Sequence, residues 1–284
     1  MIWSSLEYVP LRLARRFLFS GPVLDRIGAF MPYWRVNQGR LDPEPIVTGW
    51  QRLASQAGLS LQGLRVLELG CGASNGTGYE WTARFGGRWT GLEPYIPFDQ
   101  ALDARVFEGV RWRNPGAVRD GVRRVADAAA LESASQDLIV SNSVLEHVRD
   151  PEVLFAQCRR LLAPGGVMLH RVDYRDHFFK YPFHFLTFSK PVWNNLLDPG
   201  DLPRHRLDDH LAALARQGFE VQVLERETDP AALAAVAPFL APEFAQRDRD
   251  MLATTIASLL CRKVSGSETS DPRPLASGLP AGDP

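Results

Sequence analysis

The strongest constraint on the fold of this chain is a short apolar run that leads directly into a glycine-rich loop. Arg65-Val-Leu-Glu-Leu69 is followed by Gly70-Cys-Gly-Ala-Ser-Asn-Gly76 and then by a helical pattern. Glycines let the backbone turn sharply and approach a ligand, and the N-terminus of a helix offers N–H groups without a partner inside the helix. The segment therefore predicts a buried strand, a tight turn and a helix that together bind a nucleotide-like ligand.

Short apolar runs then alternate with helical patterns, which indicates βαβ units in a sheet. After the first strand, the candidate strands are Arg88–Glu93, Val122–Ala126, Asp137–Ser141, Val167–Val172, Phe219–Leu224 and Ala253–Val264. The last of these segments also fits a helix. We predict an α/β fold with a Rossmann-like, doubly wound, mostly parallel seven-stranded sheet.

The spacing of the glycines narrows the choice of ligand. Gly70, Gly72 and Gly76 form a GxGxxxG pattern, whereas the dinucleotide-binding fingerprint is GxGxxG. The wider spacing, with Glu68 inside the strand, leaves room for a ligand that has no pyrophosphate. Glu93 ends the second strand, where a carboxylate accepts two hydrogen bonds from a ribose diol. These features argue against a nicotinamide-dependent oxidoreductase.

Two further motifs follow in order. The fourth strand continues as Asp137-Leu-Ile-Val-Ser-Asn-Ser-Val-Leu-Glu-His-Val148, and Arg159-Arg-Leu-Leu-Ala-Pro-Gly-Gly166 precedes the fifth strand. With the glycine loop and Glu93, these motifs make residues 64–166 resemble the class I S-adenosylmethionine-dependent methyltransferases. The resemblance implies an enzyme with S-adenosyl-L-methionine as its cofactor.

The resemblance also implies which residues bind the cofactor: Glu68, Gly70, Cys71, Gly72, Glu93, Asp127 and Asn142. The backbone from Gly70 to Gly72 would lie against the methionine part, and Glu68 would face its amino group. Glu93 would hold the ribose hydroxyls, at a position where many members have aspartate. Asp127 would meet the adenine amino group, and Asn142 would line the methionine end.

Residues 173–205 form a polar and aromatic insertion after the fifth strand, on the side of the sheet where ligands of open α/β folds bind. A hydroxyl acceptor of a methyl group needs a base. His177 is the first candidate because its unperturbed pKa lies near neutrality and Asp173 or Asp176 could orient it. His184 and His147 are further candidates. The aromatic residues of the insertion either floor an acceptor pocket or pack as a lid on the cap.

We divide the chain into an N-terminal helical cap at residues 1–62, a methyltransferase domain at 63–263 that includes the insertion, and a disordered tail at 264–284. The tail has few large apolar residues and cannot bury enough surface to become ordered. Near the N-terminus, apolar residues recur at helical spacing, at Leu6, Val9, Leu13 and Phe17. This amphipathic helix would lie on a membrane surface or cap the mouth of the site.

The composition excludes several classes of protein. A net charge of −1 over 284 residues disfavours a nucleic-acid substrate. Three widely spaced cysteines without a CxxC pair suggest neither a disulfide framework nor a zinc site, and they fit reduced thiols in the cytoplasm. No spacing of acids and histidines predicts a metal site. No apolar run reaches the roughly 18 residues needed to cross a bilayer.

We therefore predict an O-methyltransferase that acts on a sugar or related small molecule in bacterial glycan biosynthesis. This substrate follows from the stretches Arg171–Phe178, Phe185–Ser189 and Arg204–Arg206, which are similar to surface-glycan-cluster methyltransferases. One alternative is a lipid or quinone-like acceptor, which the apolar N-terminus would suit. For either acceptor we expect the chain in the cytoplasm, with a peripheral contact of residues 1–30 to the inner membrane face as an open alternative. A second alternative is a partner protein that binds S-adenosylmethionine without catalysis.

Overall fold

A computed structural model describes residues 5–18, 42–176, 181–198 and 202–264. The seven strands within these residues are β1 (Arg65–Leu69), β2 (Arg88–Leu92), β3 (Val122–Val125), β4 (Gln136–Asn142), β5 (Leu162–Asp173), β6 (Phe219–Thr228) and β7 (Thr254–Lys263). The longer helices are α1 (Ser5–Phe17), α2 (Glu44–Gln56), α3 (Gly76–Phe85), α4 (Gln100–Arg113), α5 (Pro151–Leu161), α6 (Leu207–Arg216) and α7 (Pro230–Val236). Shorter helical turns lie at Ala128–Ala130, Leu145–His147, His184–Thr187, Lys190–Val192, Trp193–Leu197, Ala237–Phe239, Pro242–Ala245 and Arg249–Leu252.

The strands form one sheet in the order β3-β2-β1-β4-β5-β7-β6. β7 is antiparallel to both of its neighbours, and the other adjacent strands are parallel. The predicted α/β fold with a mostly parallel seven-stranded sheet is confirmed, and its last segment is a strand. Because the strand order reverses between β1 and β4, a crevice opens at their carboxyl ends, which is where ligands bind in such sheets.

Both faces of the sheet are buried, which explains the continuous apolar runs in its central strands. Leu138 and Val140 of β4 belong to the cluster on one face, and Ile139 belongs to the cluster on the other. Trp50 of α2 packs against Trp81 and Trp89, with ring centroids 6.4 and 5.9 Å away. Although α2 lies in the segment that we assign to a cap, it therefore covers the sheet itself.

Several aromatic residues in the described part of the insertion form a separate buried cluster with α1. Phe183, Phe185 and Trp193 are at most 1% exposed, and they pack with Tyr8 of α1. These rings fill the interior of a cap instead of flooring an open pocket, which corresponds to the lid alternative. The predicted tail spans residues 264–284, of which 265–284 lie outside the described residues.

Two arginines connect this cap to the rest of the chain. Arg204 donates to the carbonyl oxygens of Phe185 and Phe188 inside the insertion, at 3.1 and 2.6 Å, and to Glu243 Oε1 at 3.0 Å. Arg206 is fully buried and donates to the carbonyl oxygens of Tyr174, Leu252 and Thr254. Burial lowers the pKa of Arg206 to about 10. The contacts of Arg204 and Arg206 thus give the two arginines a role in the fold. The sequence analysis associated the stretch that contains them with a glycan substrate.

Two buried histidines make the stability of the fold depend on pH. His170 Nδ1 lies 2.8 Å from Ser141 Oγ, and His210 Nδ1 lies 2.9 Å from the phenolic oxygen of Tyr174. Burial lowers the pKa of each imidazole from 6.5 to about 3. Below pH 6.5 the unfolded chain binds protons that the folded chain excludes, so acid favours unfolding down to about pH 3.

Each histidine is expected to lower the free energy of unfolding by roughly 1 kcal/mol between about pH 7 and about pH 5.5. The raised pKa values of the buried Glu68 and Glu146 act in the opposite direction, because the folded chain then binds protons that the unfolded chain does not. Urea denaturation of the wild type and of His170→Asn at the two pH values isolates the contribution of His170, and the wild type should lose roughly 1 kcal/mol more than the variant. An unchanged pH dependence in this variant would contradict the assignment.

Candidate functional site

The three glycines of the loop after β1 serve two different purposes. Gly70 and Gly72 have φ values of 69° and 67°, in the left-handed region that favours glycine. A Cβ on Gly70 would also lie 2.6 Å from Val144 Cγ2. Gly76 begins α3, and a Cβ there would lie 2.5 Å from Val106 Cγ1 of α4. The first two glycines thus form the turn, and the third lets two helices pack closely.

Gly70→Ala is expected to lower the free energy of unfolding by about 2 kcal/mol or more and to weaken cofactor binding, because it adds a steric clash to backbone strain. Gly58→Ala is the matched control: Gly58 has a φ of 66°, and its Cβ would meet nothing within 4 Å. The control should show only the strain, about 1 kcal/mol. Urea denaturation and calorimetric titration measure both effects, and equal losses in the two variants would contradict the prediction.

Glu93 is held by backbone N–H groups at the carboxyl end of β2. Its Oε2 accepts from Gly72 N at 3.0 Å, and its Oε1 accepts from Tyr95 N and Ile96 N at 3.1 Å each. The side chain therefore connects the glycine loop to the loop after β2. Each carboxylate oxygen can accept more than one hydrogen bond, so Glu93 keeps the capacity to bind a ribose diol.

Glu93 lines a cleft of about 360 Å³ at this edge of the sheet. The residues that line the cleft are Asn75, Glu93, Phe98, Arg124, Val125 and Ala126. The cleft adjoins the glycine loop and the ends of β2 and β3. Its size and its mixture of apolar and polar groups suit the nucleoside part of a cofactor.

Glu68 lies under the glycine loop and is 4% exposed. It accepts a hydrogen bond of 2.5 Å from Thr77 Oγ1 at the start of α3. Burial raises the pKa of Glu68 to about 8. A cationic amino group nearby would favour the ionised form, so this carboxyl fits the amino end of S-adenosylmethionine.

Cys71 contacts two neighbouring strands through its thiol. Its Sγ accepts from Arg124 Nη1 at 3.0 Å, and a Cβ on Gly91 would lie 2.6 Å from the same sulfur. Burial raises the pKa of the thiol. Cys71 is therefore a neutral packing residue of the loop and is unsuited to act as a nucleophile.

Asp127 and Asn142 lie at the carboxyl ends of β3 and β4. Asp127 is exposed, and its Oδ1 accepts from Ala129 N at 2.8 Å. Asn142 is the last residue of β4, and Ser143 after it has a φ of 55°. This turn brings Val144 against Gly70. The predicted cofactor residues thus surround one edge of the sheet, as the sequence indicates.

The predicted catalytic residues are placed less simply. His177 lies outside the described residues, so its role as a base stays a prediction. Asp173 accepts from Arg175 Nε at 2.9 Å and from Arg175 Nη2 at 2.5 Å. Asp176 accepts from Tyr8 Oη and from Arg12 Nη2, the latter at 2.8 Å. Both acids thus have partners other than His177.

The two further histidine candidates differ in surroundings. His184 is 1% exposed, its Nε2 lies 3.2 Å from Ser5 Oγ, and burial lowers its pKa. His147 belongs to the helical turn after β4, and Glu146 beside it is buried. Burial raises the pKa of Glu146, whose Oε1 accepts from Asp173 N at 3.3 Å. A buried Glu146 that accepts from the backbone of Asp173 is better suited to supporting the turn than to acting on an acceptor.

Sequence reasoning missed several residues of this region, among them Arg124, Phe98, Tyr8 and Arg12. The signal available for Arg124 was its position in Val122-Arg-Arg-Val125, three residues before Asp127. Tyr8 and Arg12 are four residues apart and share a helix face, but nothing local reveals that this face is buried.

The arrangement of a glycine loop, an acid at the end of β2 and a polar turn after β4 invites comparison with known proteins. A family model described as a methyltransferase domain matches residues 36–224. The chain belongs to this methyltransferase family. The prediction of an S-adenosyl-L-methionine-dependent methyltransferase is thereby confirmed, and the residues around the cleft fit this cofactor.

Among curated relatives, the ubiquinone biosynthesis O-methyltransferase of Dinoroseobacter shibae is 30% identical over 217 residues, which is 72% of this chain and 82% of that protein. The enzyme of the same name from Cereibacter sphaeroides is 33% identical over 144 residues, which is 50% of this chain and 55% of that protein. The chain thus matches about half the length of the first relatives. A solved structure of a putative sarcosine dimethylglycine methyltransferase from Galdieria sulphuraria has a TM-score of 0.49 at 18% identity and covers 84% of this chain and 98% of that chain.

Two negative findings concern the described residues. No helix in residues 5–18, 42–176, 181–198 and 202–264 has the length and hydropathy needed to cross a membrane. Within the same ranges, no group of three or more His, Cys, Asp or Glu side chains is placed to hold a metal ion.

Proposed function

We propose that this methyltransferase methylates a hydroxyl group of a quinone-like aromatic acceptor that it takes from a lipid surface. The names of the curated relatives support the chemical class of the acceptor. The observation that carries the proposal is a pair of large apolar side chains on α1, Leu6 and Phe17, that are exposed although the helix is attached to the cap.

Tyr8 and Arg12 of α1 face the cap and are at most 3% exposed. Leu6 and Phe17 are 60% and 61% exposed, and their spacing of eleven residues puts them on one face of a helix. Val9, Leu11 and Leu13 of the same helix pack partly against the cap, so the helix also has apolar side chains on its covered side. An exposed apolar pair on a helix that is anchored in the cap suits insertion into a lipid surface.

The proposed chemistry divides between two ends of the site. Bound S-adenosyl-L-methionine supplies an activated methyl group on a sulfonium. Glu93 binds the ribose hydroxyls, Glu68 faces the amino group, and Asn142 lines the methionine end. The acceptor lies beyond Asn142, towards Asp173 and the insertion, and alignment for in-line displacement supplies most of the rate enhancement. His177 takes the proton of the acceptor hydroxyl.

His177→Ala is expected to lower kcat by about 100-fold or more and to leave the affinity for S-adenosylhomocysteine unchanged, since a base acts on the acceptor alone. Rates at saturating cofactor and a calorimetric titration separate the two effects. His205→Ala is a control in the described part of the chain, because its Nε2 contacts the carbonyl oxygen of Arg149 outside the cofactor cleft. Full turnover by His177→Ala would exclude this base.

A sugar acceptor stays a prediction, supported by the resemblance of the insertion to glycan-cluster methyltransferases. The competing acceptors can be compared directly by supplying the full chain with methyl-labelled S-adenosylmethionine. One set of reactions contains a hydroxylated polyprenyl hydroquinone in vesicles, and the other contains nucleotide-linked sugars. We expect label in the hydroquinone, and label in the sugars alone would contradict the proposal.

Co-sedimentation with vesicles of neutral and anionic phospholipids tests the role of α1. Leu6→Ser combined with Phe17→Ser should reduce the fraction of protein bound to vesicles by about fivefold or more. Two apolar side chains that become buried in lipid contribute about 3 kcal/mol or more to binding. Phe239→Ser is the matched control, because Phe239 is a 44% exposed aromatic residue outside α1. Equal binding by both variants would exclude α1 as the lipid contact.

A further inference from the structure

We infer that Arg124 determines the affinity for the adenosine half of the cofactor, because it fastens together the two loops that form the nucleoside cleft. The inference rests on the proposed position of the cofactor beside Glu93. Arg124 is a positioning residue in this role, and nothing in the motifs of the chain marks it as part of the site.

The guanidinium of Arg124 contacts two different loops from a third strand. Its Nη1 donates to Cys71 Sγ in the glycine loop at 3.0 Å, and its Nη2 donates to the carbonyl oxygen of Ile96 at 2.8 Å. Its Cζ lies 5.7 Å from the centre of the Phe98 ring. Arg124 and Phe98 both line the cleft, together with Glu93.

Arg124 and Glu93 each connect the glycine loop after β1 to the loop after β2. Glu93 accepts from Gly72 N in the first loop and from Ile96 N in the second. Arg124 donates to Cys71 in the first loop and to the carbonyl oxygen of Ile96 in the second. Ile96 is therefore held at two groups: its N–H donates to the carboxylate of Glu93, and its carbonyl oxygen accepts from the guanidinium of Arg124.

This double attachment fixes the loop after β2 before a ligand arrives. The loop has no helix or strand of its own between Glu93 and the start of α4. Its other contacts include a hydrogen bond from Asp99 N to the carbonyl oxygen of Ala73 at 2.9 Å and the packing of Ile96 in a small apolar cluster, and neither of these contacts holds Phe98. Phe98 is 45% exposed and offers a ring surface to a purine. Without Arg124, binding would have to order the loop and place Phe98, and this ordering would weaken affinity.

The planar geometry of the guanidinium matters because the two acceptors lie in different loops. Arginine presents several N–H donors in a fixed fork, whereas lysine has a single ammonium on a flexible stem. Lys at position 124 would retain the charge beside Glu93 but could not reproduce both contacts in the same geometry. Comparing Arg124→Ala with Arg124→Lys therefore distinguishes the effect of the two directed hydrogen bonds from the effect of the positive charge alone.

Arg123 provides a matched control on the same strand. Arg123 is the residue directly before Arg124 on β3. Its Nε donates to Thr90 Oγ1 of β2 at 3.0 Å. It does not line the cleft. Arg123→Ala removes an arginine and one side-chain contact from β3 without touching either loop.

The experiment measures binding of S-adenosylhomocysteine by calorimetry to the full chain and to four variants: Arg124→Ala, Arg124→Lys, Arg123→Ala and Glu93→Ala. Thermal unfolding of each variant reports whether it is folded. We expect Arg124→Ala to raise the dissociation constant by about 10- to 100-fold. Arg124→Lys should recover less than half of this loss on a logarithmic scale, and Arg123→Ala should stay within about twofold of the wild type.

A kinetic measurement distinguishes positioning from general damage. With a methylated acceptor identified, Arg124→Ala should raise KM for S-adenosylmethionine by a factor similar to its loss of affinity and leave kcat within about threefold. A fall in kcat with an unchanged KM would overturn the inference. If Arg124→Ala does not fold, Arg124→Lys carries the test.

Other outcomes also decide the matter. Equal affinities of Arg124→Ala and Arg123→Ala, or wild-type affinity of Arg124→Lys, would overturn the role of the fork. If Glu93→Ala loses binding and Arg124→Ala does not, the inference fails and the proposed cofactor cleft stands. Wild-type affinity of Glu93→Ala would instead refute the cleft, and the inference with it.

Discussion

Replacing Glu93 with alanine is expected to raise the dissociation constant for S-adenosylhomocysteine by about 100-fold or more. The variant loses the carboxylate that we propose to accept hydrogen bonds from the ribose hydroxyls. It also leaves Gly72 N, Tyr95 N and Ile96 N without the carboxylate that they now share, so both loops around the cleft lose an attachment. Isothermal titration calorimetry measures the change.

Glu108→Ala is the control for this substitution, because Glu108 is an exposed acid on α4. Its affinity should stay within about twofold of the wild type. Glu93→Gln should bind with intermediate affinity, since an amide keeps one acceptor oxygen but adds a donor on the other side. Binding of S-adenosylhomocysteine by Glu93→Ala with wild-type affinity would show that the ribose lies elsewhere.

Breaking the ion pair between Arg12 and Asp176 is expected to destabilise the protein strongly. The side chains are 3% and 0% exposed, and their atoms approach to 2.8 Å. Tyr8 Oη donates to the same carboxylate. Arg12→Met or Asp176→Ala would remove one member of this buried ion pair, and breaking such a pair costs about 3–5 kcal/mol. Urea denaturation and scanning calorimetry measure the loss.

The double variant Arg12→Met with Asp176→Leu should recover most of this stability, because it removes both charges and keeps apolar volume. The ion pair between Arg65 and Asp137 is the comparison: its atoms are 2.6 Å apart, but the side chains are 45% and 32% exposed. Arg65→Ala should cost about 1 kcal/mol or less. Single variants of Arg12 and Asp176 as stable as the wild type would contradict this account of the cap.

The parts of the fold that local chemistry specifies could be predicted from the sequence. β1 and the start of β2 coincide with their apolar runs, because strands buried on both faces contain few polar residues. The N-terminus of α5 was also predictable. Asp150 Oδ1 accepts from Val153 N at 3.1 Å, and Pro151 is the first helical residue.

Long-range pairing limited the remaining predictions. β3 has the sequence Val-Arg-Arg-Val, whose two arginines give no clear strand pattern. These arginines are accommodated by partners in other elements, such as Cys71 and Ile96 for Arg124. Arg12 faces inward because it pairs with Asp176, which lies 164 residues further along the chain. No local pattern distinguishes such an arginine from one on the surface, so the buried face of α1 could not be assigned from apolar spacing.

The candidate site shows the same division. Its cofactor side follows from sheet topology, since the carboxyl ends of β1, β2 and β4 meet at one edge and bring Gly70, Glu93 and Asn142 towards it. Its acceptor side depends on side chains of an insertion with its own packing. There, Asp173 and Asp176 pair with Arg175 and Arg12, which sequence spacing alone did not indicate.

The most direct test of the account is a crystal structure of the full chain with S-adenosylhomocysteine. We expect both ribose hydroxyls within hydrogen-bond distance of the Glu93 carboxylate, the adenine between the loop after β2 and the end of β3, and the amino acid part against Gly70 and Gly72. A ligand bound away from Glu93, with the cleft beside Arg124 empty, would contradict the account.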